Sequence, residues 1–105
     1  MEDLNKCLEF TGKKGDRVVL KKIGIKPGKE NKTKTKIGKR LEITLFVPVR
    51  VGSTVKRMRI LDDFNIEPIE KGIGITKKVQ SILQDNDGTF LIETTSSFYT
   101  MKKIN

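Results

Sequence analysis

Between residues 26 and 40 the chain places Lys26, Lys29, Lys32, Lys34, Lys36, Lys39 and Arg40 against a single acid, Glu30. Ammonium and guanidinium groups at this density can neutralise consecutive phosphates of a polyanion, a contact that needs charge and reach but no fixed geometry. Residues 41–51 follow directly, with Leu41, Ile43, Leu45, Val47, Val49 and Val51 at every other position and Glu42, Thr44, Phe46, Pro48 and Arg50 between them. Period-two alternation specifies a strand with one apolar and one mostly polar face. Phe46 falls on the polar side, where a ring can stack on an unpaired base, and Arg50 shares that face. Lys56, Arg57 and Arg59 lie on the next β-like run. The candidate nucleic-acid-binding residues are therefore Lys26, Lys29, Lys32, Lys34, Lys36, Lys39, Arg40, Phe46, Arg50, Lys56, Arg57 and Arg59.

Other chemistries find little support. The chain has no histidine and one cysteine, Cys7, so Ser–His and Cys–His catalysis, intramolecular disulfides and cysteine zinc clusters are excluded. Asp62, Asp63, Glu67 and Glu70 are the one carboxylate cluster. Oxygen ligands suit a hard cation, but no helical or strand spacing converges these four, and they read as acids solvating a connection or balancing Arg57 and Arg59. Asp85-Asn86-Asp87-Gly88 lacks the ligand spacing and distal Glu of a calcium loop and reads as a turn. Gly72-Ile73-Gly74 lacks the third glycine of a dinucleotide fingerprint, and the Gly24–Lys29 stretch lacks phosphate-loop spacing. No catalytic residue, metal or cofactor is expected.

The net charge of the 105 residues is +9. Residues 11–59 hold sixteen basic side chains and three acids, a net of +13, while the rest of the chain is net −4. A charge this localised points to nucleic acid, an acidic protein surface or anionic lipid rather than to solubility alone. Lipid is disfavoured by the lack of a basic amphipathic helix, and the longest apolar run, at 45–49, is too short to cross a bilayer. The first ten residues do not resemble a secretory signal and a lone thiol suits a reducing compartment, so a cytoplasmic protein is expected.

Strands are expected at 17–25, 41–51 and 55–61, with turns at 12–16 and 51–54. The first ten residues fit a helical turn or a strand. Residues 75–84 fit either a helix or a strand. The turn at 85–88 favours a three-stranded meander over 76–104. Alternation sends Phe98 and Tyr99 to opposite faces, so one of them is core, and Phe10, Phe64 and Phe90 are expected in the core. The expected fold is all-β, or mainly β with one short helix: a small curled antiparallel barrel or two-layer roll of five to seven strands. It forms one domain over residues 1–105, with a mobile basic loop at about 26–39.

These features lead to a non-enzymatic nucleic-acid-binding β-barrel that contacts mainly phosphates, single strands ahead of duplex. The alternative is an interaction protein or inhibitor, of the kind phages and mobile elements encode, whose basic face docks on an acidic or nucleic-acid-binding site of a partner protein. Replacing Lys32, Lys34 and Lys36 together with Ala should leave the melting temperature nearly unchanged, because solvated charges contribute little to stability. The same change should weaken binding to every nucleic acid tested; a large loss of thermal stability would place the loop in packed structure instead.

Overall fold

A computed structural model describes residues 6–28, 37–60, 66–68, 74–85 and 87–104, with the backbone alone for Lys6, Arg59, Ile60 and 66–68. Ten strands run in chain order: β1 (Lys6–Leu8), β2 (Phe10–Thr11), β3 (Arg17–Ile25), β4 (Arg40–Thr44), β5 (Val49–Arg50), β6 (Met58–Ile60), β7 (Ile66–Pro68), β8 (Val79–Gln84), β9 (Phe90–Thr94) and β10 (Ser97–Lys103). The fold is all-β. None of the described residues is helical, and no helix is long and apolar enough to cross a membrane. Lys29, Lys32, Lys34, Lys36, Asp62, Asp63, Phe64, Glu70, Gly72 and Ile73 lie outside the described residues.

Six strands form the main antiparallel sheet in the order β1-β8-β9-β10-β3-β4. Beyond its ends, β2 follows β1 across Glu9, β5 follows β4 across residues 45–48, and β2 and β5 pair with each other. The sheet is thus curled into a roll without its two edge strands closing into one ladder. Alternate side chains point inward and make the core: Val18 and Leu20 from β3, Ile43 from β4, Val79 and Ile82 from β8, Phe90 and Ile92 from β9, Tyr99 and Met101 from β10. Val55 and Ile75 join them, held by Ile75 N–H donating to Val55 O (2.8 Å) and Val55 N–H donating to Thr76 Oγ1 (3.1 Å).

The meander expected over 76–104 is present as β8-β9-β10, and residues 79–84 are strand rather than helix. Its turns are fixed by short polar side chains. Asp85 Oδ1 accepts from Asp87 N–H (3.1 Å) and Asp87 Oδ1 from Thr89 N–H (2.9 Å), which holds the Asp87 carboxyl below the usual range. Thr94 Oγ1 accepts from Ser97 N–H at 3.0 Å and so closes the next turn.

Two strand expectations change. Residues 41–51 are not one strand: pairing breaks at Phe46-Val47-Pro48, where Pro48 has no N–H to give, and Val51 enters a turn and is exposed. The strand expected at 55–61 begins only at Met58, residue 61 lying outside the described residues: the Lys56 carbonyl accepts from Phe46 N–H and that of Val55 from Ile75 N–H instead. Most of the expected loop at about 26–39 lies outside the described residues; at its ends Lys26 N–H donates to Ser96 O and Gly38 N–H to Lys22 O, each at 2.8 Å.

Inward alternation from Val18 and Leu20 also carries Lys22 into the interior, fully buried, its Nζ 5.7 Å from the centre of the Tyr99 ring. Desolvation pushes its ammonium below the ordinary lysine value. Between that lowered value and about 10.4, the unfolded chain holds a proton that the folded chain has lost, so stability rises with pH across the window. Lys22→Met should fold and be no less stable than wild type at pH 7, since apolar replacement of a buried ion is often neutral or favourable. As pH is raised toward 10, the stability of wild type should rise relative to that of the variant in paired denaturant titrations; a pH-independent difference would mean that the ammonium is not desolvated.

Candidate nucleic-acid interface

Residues 9–21 and 40–51 run antiparallel in two paired stretches, interrupted at the 12–16 turn and at 46–48. Lys21 lies opposite Arg40, Val19 opposite Glu42 and Arg17 opposite Thr44. Past the end of β4, Leu45 N–H donates to Asp16 O and Gly15 N–H donates to Leu45 O, both at 2.9 Å. Pairing resumes with Thr11 opposite Val49 and Phe10 opposite Arg50, and Val51 N–H donates to Glu9 O at 2.9 Å. Ile43, Leu45 and Val49 are buried on the inner side of this ribbon. Arg40, Glu42, Thr44, Phe46 and Arg50 alternate with them and take the outer side.

The bent part of the ribbon carries two phenylalanine rings, each under a cation. Lys14 Nζ stands 5.2 Å from the Phe46 centroid, and the Arg50 guanidinium carbon 5.9 Å from that of Phe10. Both fall within the range of a cation–π contact. Lys14 is presented by the turn at 12–16, which Asp16 fixes by accepting from Lys13 N–H at 3.0 Å while its buried carboxylate pairs with Lys103 Nζ at 3.3 Å. Phe46 and Arg50 are four residues apart across the bend, so their backbones are separated by less than the roughly 13 Å of a fully extended strand.

At the other end, Lys21 and Arg40 are exposed directly opposite each other, with exposed Lys39 adjacent. Like charges facing across a ladder destabilise it by a few tenths of a kcal/mol or more, a cost that an anion bound between them removes. The middle of the ribbon is closer to neutral, because Arg17 donates to Glu42.

Of the residues read from the sequence, Lys39, Arg40, Phe46 and Arg50 therefore share the ribbon. Phe46 is half-buried rather than fully exposed. Lys56 and Arg57 flank it, half-buried, through Phe46 N–H donating to Lys56 O (2.9 Å) and the Leu45–Arg57 bridge. Arg59 contributes its backbone to β6. Lys26 stands elsewhere, on the outer face of the main sheet: its Nζ lies 2.6 Å from Glu93 Oε2, 2.7 Å from Gln80 Oε1 and 5.8 Å from the Phe98 centroid. Phe10 corrects the expected core assignment, being 58% exposed; β2 is two residues long, and its inner positions are already filled by Leu45 and Val49. Lys14, Lys21 and Phe10 were not singled out from the sequence. Lys21 was legible, being in phase with Arg17 on β3; Lys14 and Phe10 depend on cross-strand register. Among the described residues, no three acid or cysteine side chains gather into a metal-holding group. No family model, curated protein or solved structure matches the chain.

The two kinds of lysine should separate in stability measurements. Lys26→Ala breaks two charge-assisted contacts at a largely covered ammonium and is expected to cost about 1 kcal/mol, whereas Lys14→Ala should stay within about 0.5 kcal/mol. Urea midpoints at constant m-value check this; the opposite order would make the 12–16 turn, not the Lys26–Glu93 contact, the structural cation.

Proposed function

We propose that the protein is a non-enzymatic, cytoplasmic nucleic-acid-binding module that grips phosphates along the outer face of the 9–21/40–51 ribbon, with little sequence specificity and a preference for single strands. The observation that carries this reading is the composition of that one face: opposed like charges at Lys21 and Arg40, and two phenylalanine rings paired with cations at Lys14–Phe46 and Arg50–Phe10. Backbone-tracking cations interleaved with aromatic platforms are what a sequence-tolerant single-strand groove requires. The remaining candidate lysines, Lys29, Lys32, Lys34 and Lys36, extend the charge on the segment that joins β3 to β4. An exposed single thiol, Cys7, suits a reducing compartment.

Anisotropy titration of a labelled single-stranded oligonucleotide at several salt concentrations tests the reading. With four to six phosphates neutralised, the log–log salt slope should be about −3 to −5. Replacing Lys21 and Arg40 together with Ala should flatten that slope by about 1.5, as two phosphate contacts are lost, without lowering the melting temperature. Absence of binding to any DNA or RNA at about 50 mM salt would reject the proposal and turn the same basic face toward an acidic protein surface.

A further inference from the structure

An open depression of about 520 Å³ lies beside Phe10, lined among the described residues by Glu9, Phe10, Arg50 and Val51. Its size is within the range of small-ligand sites. Its walls combine two exposed apolar side chains, Phe10 at 58% and Val51 at 40%, with one carboxylate, Glu9, and one guanidinium, Arg50. The other two acids of the ribbon have structural employment, Glu42 with Arg17 and Asp16 with Lys103 and the Lys13 N–H. Glu9 instead lines the recess together with Phe10. A carboxylate there repels phosphate, so the recess is not a phosphate site. An ionised carboxylate only accepts hydrogen bonds, so the occupant has to bring donors on a flat apolar body.

Resting on the nucleic-acid reading above, we infer that this recess seats one unpaired nucleobase and selects it by its donors. The base stacks on Phe10, the Arg50 guanidinium lies alongside, and the Glu9 carboxylate accepts from the Watson–Crick edge. Guanine presents two adjacent donors there, N1–H and N2–H, and satisfies both carboxylate oxygens at once. Cytosine and adenine present one amino group. Thymine and uracil flank their single N–H with carbonyl oxygens that face the carboxylate unfavourably. The order of preference is guanine, then adenine and cytosine, then thymine and uracil, at one position in an otherwise sequence-tolerant strand.

Oligothymidine tracts of equal length, unmodified or carrying one central guanine, adenine or cytosine, provide the test by anisotropy at about 50 mM salt. The guanine-containing strand should bind about five- to tenfold more tightly than the all-thymine strand, with one bidentate contact as the source. Glu9→Gln should reduce that ratio to about twofold or less and tighten all-thymine binding, since a repulsive charge is removed. Phe10→Ala should weaken every strand about tenfold, with circular dichroism and melting temperature unchanged because the ring is on the surface. Equal affinity for all four strands, or a guanine preference that survives Glu9→Gln, overturns the inference while leaving the phosphate-binding reading in place. Absence of binding to every strand overturns both.

Discussion

Leu45 is held on all sides at the point where the roll turns. Its N–H and C=O are spent on Asp16 and Gly15, and its side chain is fully buried. Gly12 approaches so closely that a Cβ on it would stand 2.9 Å from Leu45 Cδ1, and its φ of +76° is one that other residues adopt only under strain. A side chain at residue 12 would have to displace the leucine that pins the two segments together. Because Leu45 is fixed there, residues 46–48 bend away from the main sheet, β5 meets β2, and the turn at 12–16 is left against the outside of the bend. Lys14 and Phe46 face each other as a consequence of this packing. The candidate interface is in this sense a by-product of how the sheet curls, and its rigidity is that of the core beneath it.

The two faces of β3 handle charge in opposite ways. Outside, Lys21 stands against Arg40 in water, where screening within about 8–10 Å keeps the repulsion modest. Inside, one position along, Lys22 lies against Tyr99 with its ammonium desolvated. A cation in the core weakens the fold relative to an apolar residue of similar length, and the ring face recovers part of that loss. The sheet therefore separates a surface whose electrostatics respond to salt from an interior whose electrostatics respond to pH.

Much of the fold was legible because it is local. Arg17–Ile25 is bounded by its own turns, and the Asp/Asn/Gly and Thr/Ser/Ser turns of the meander supply their own hydrogen bonds. The alternation through 41–51 correctly sorted Ile43, Leu45 and Val49 inward and Arg50 outward, yet it concealed the break at 46–48. A strand that bends but keeps its parity leaves no trace in a period-two pattern. Parity also overrides residue type on β3: Val18, Leu20 and Lys22 alternate inward, so a lysine is buried while Ile23, one position on and opposite the β10 bulge, is exposed. Lys26 read as part of a solvated run because Glu93 and Gln80 are distant in sequence. The same distance hid the Phe10–Arg50 and Lys14–Phe46 pairs, since each is a fact about register between segments that no local pattern records.

On the proposed reading the two ring–cation pairs are not equivalent. A lysine over an exposed ring is worth about 0.5–1 kcal/mol, and a stacked base about 1–3 kcal/mol. At Phe46 a base and the Lys14 ammonium compete for the same ring face, so the net gain of stacking there is reduced by the lost cation contact and restored when the displaced ammonium moves to the neighbouring phosphate. At Phe10 no exchange is needed. A guanidinium is planar and weakly hydrated and stacks on π-faces itself, so Arg50 can remain beside a base that enters over the ring. Phe46 then acts as a platform coupled to phosphate capture and indifferent to which base arrives. Phe10, with the Glu9 carboxylate lining the same recess, is the position where the identity of the base can matter.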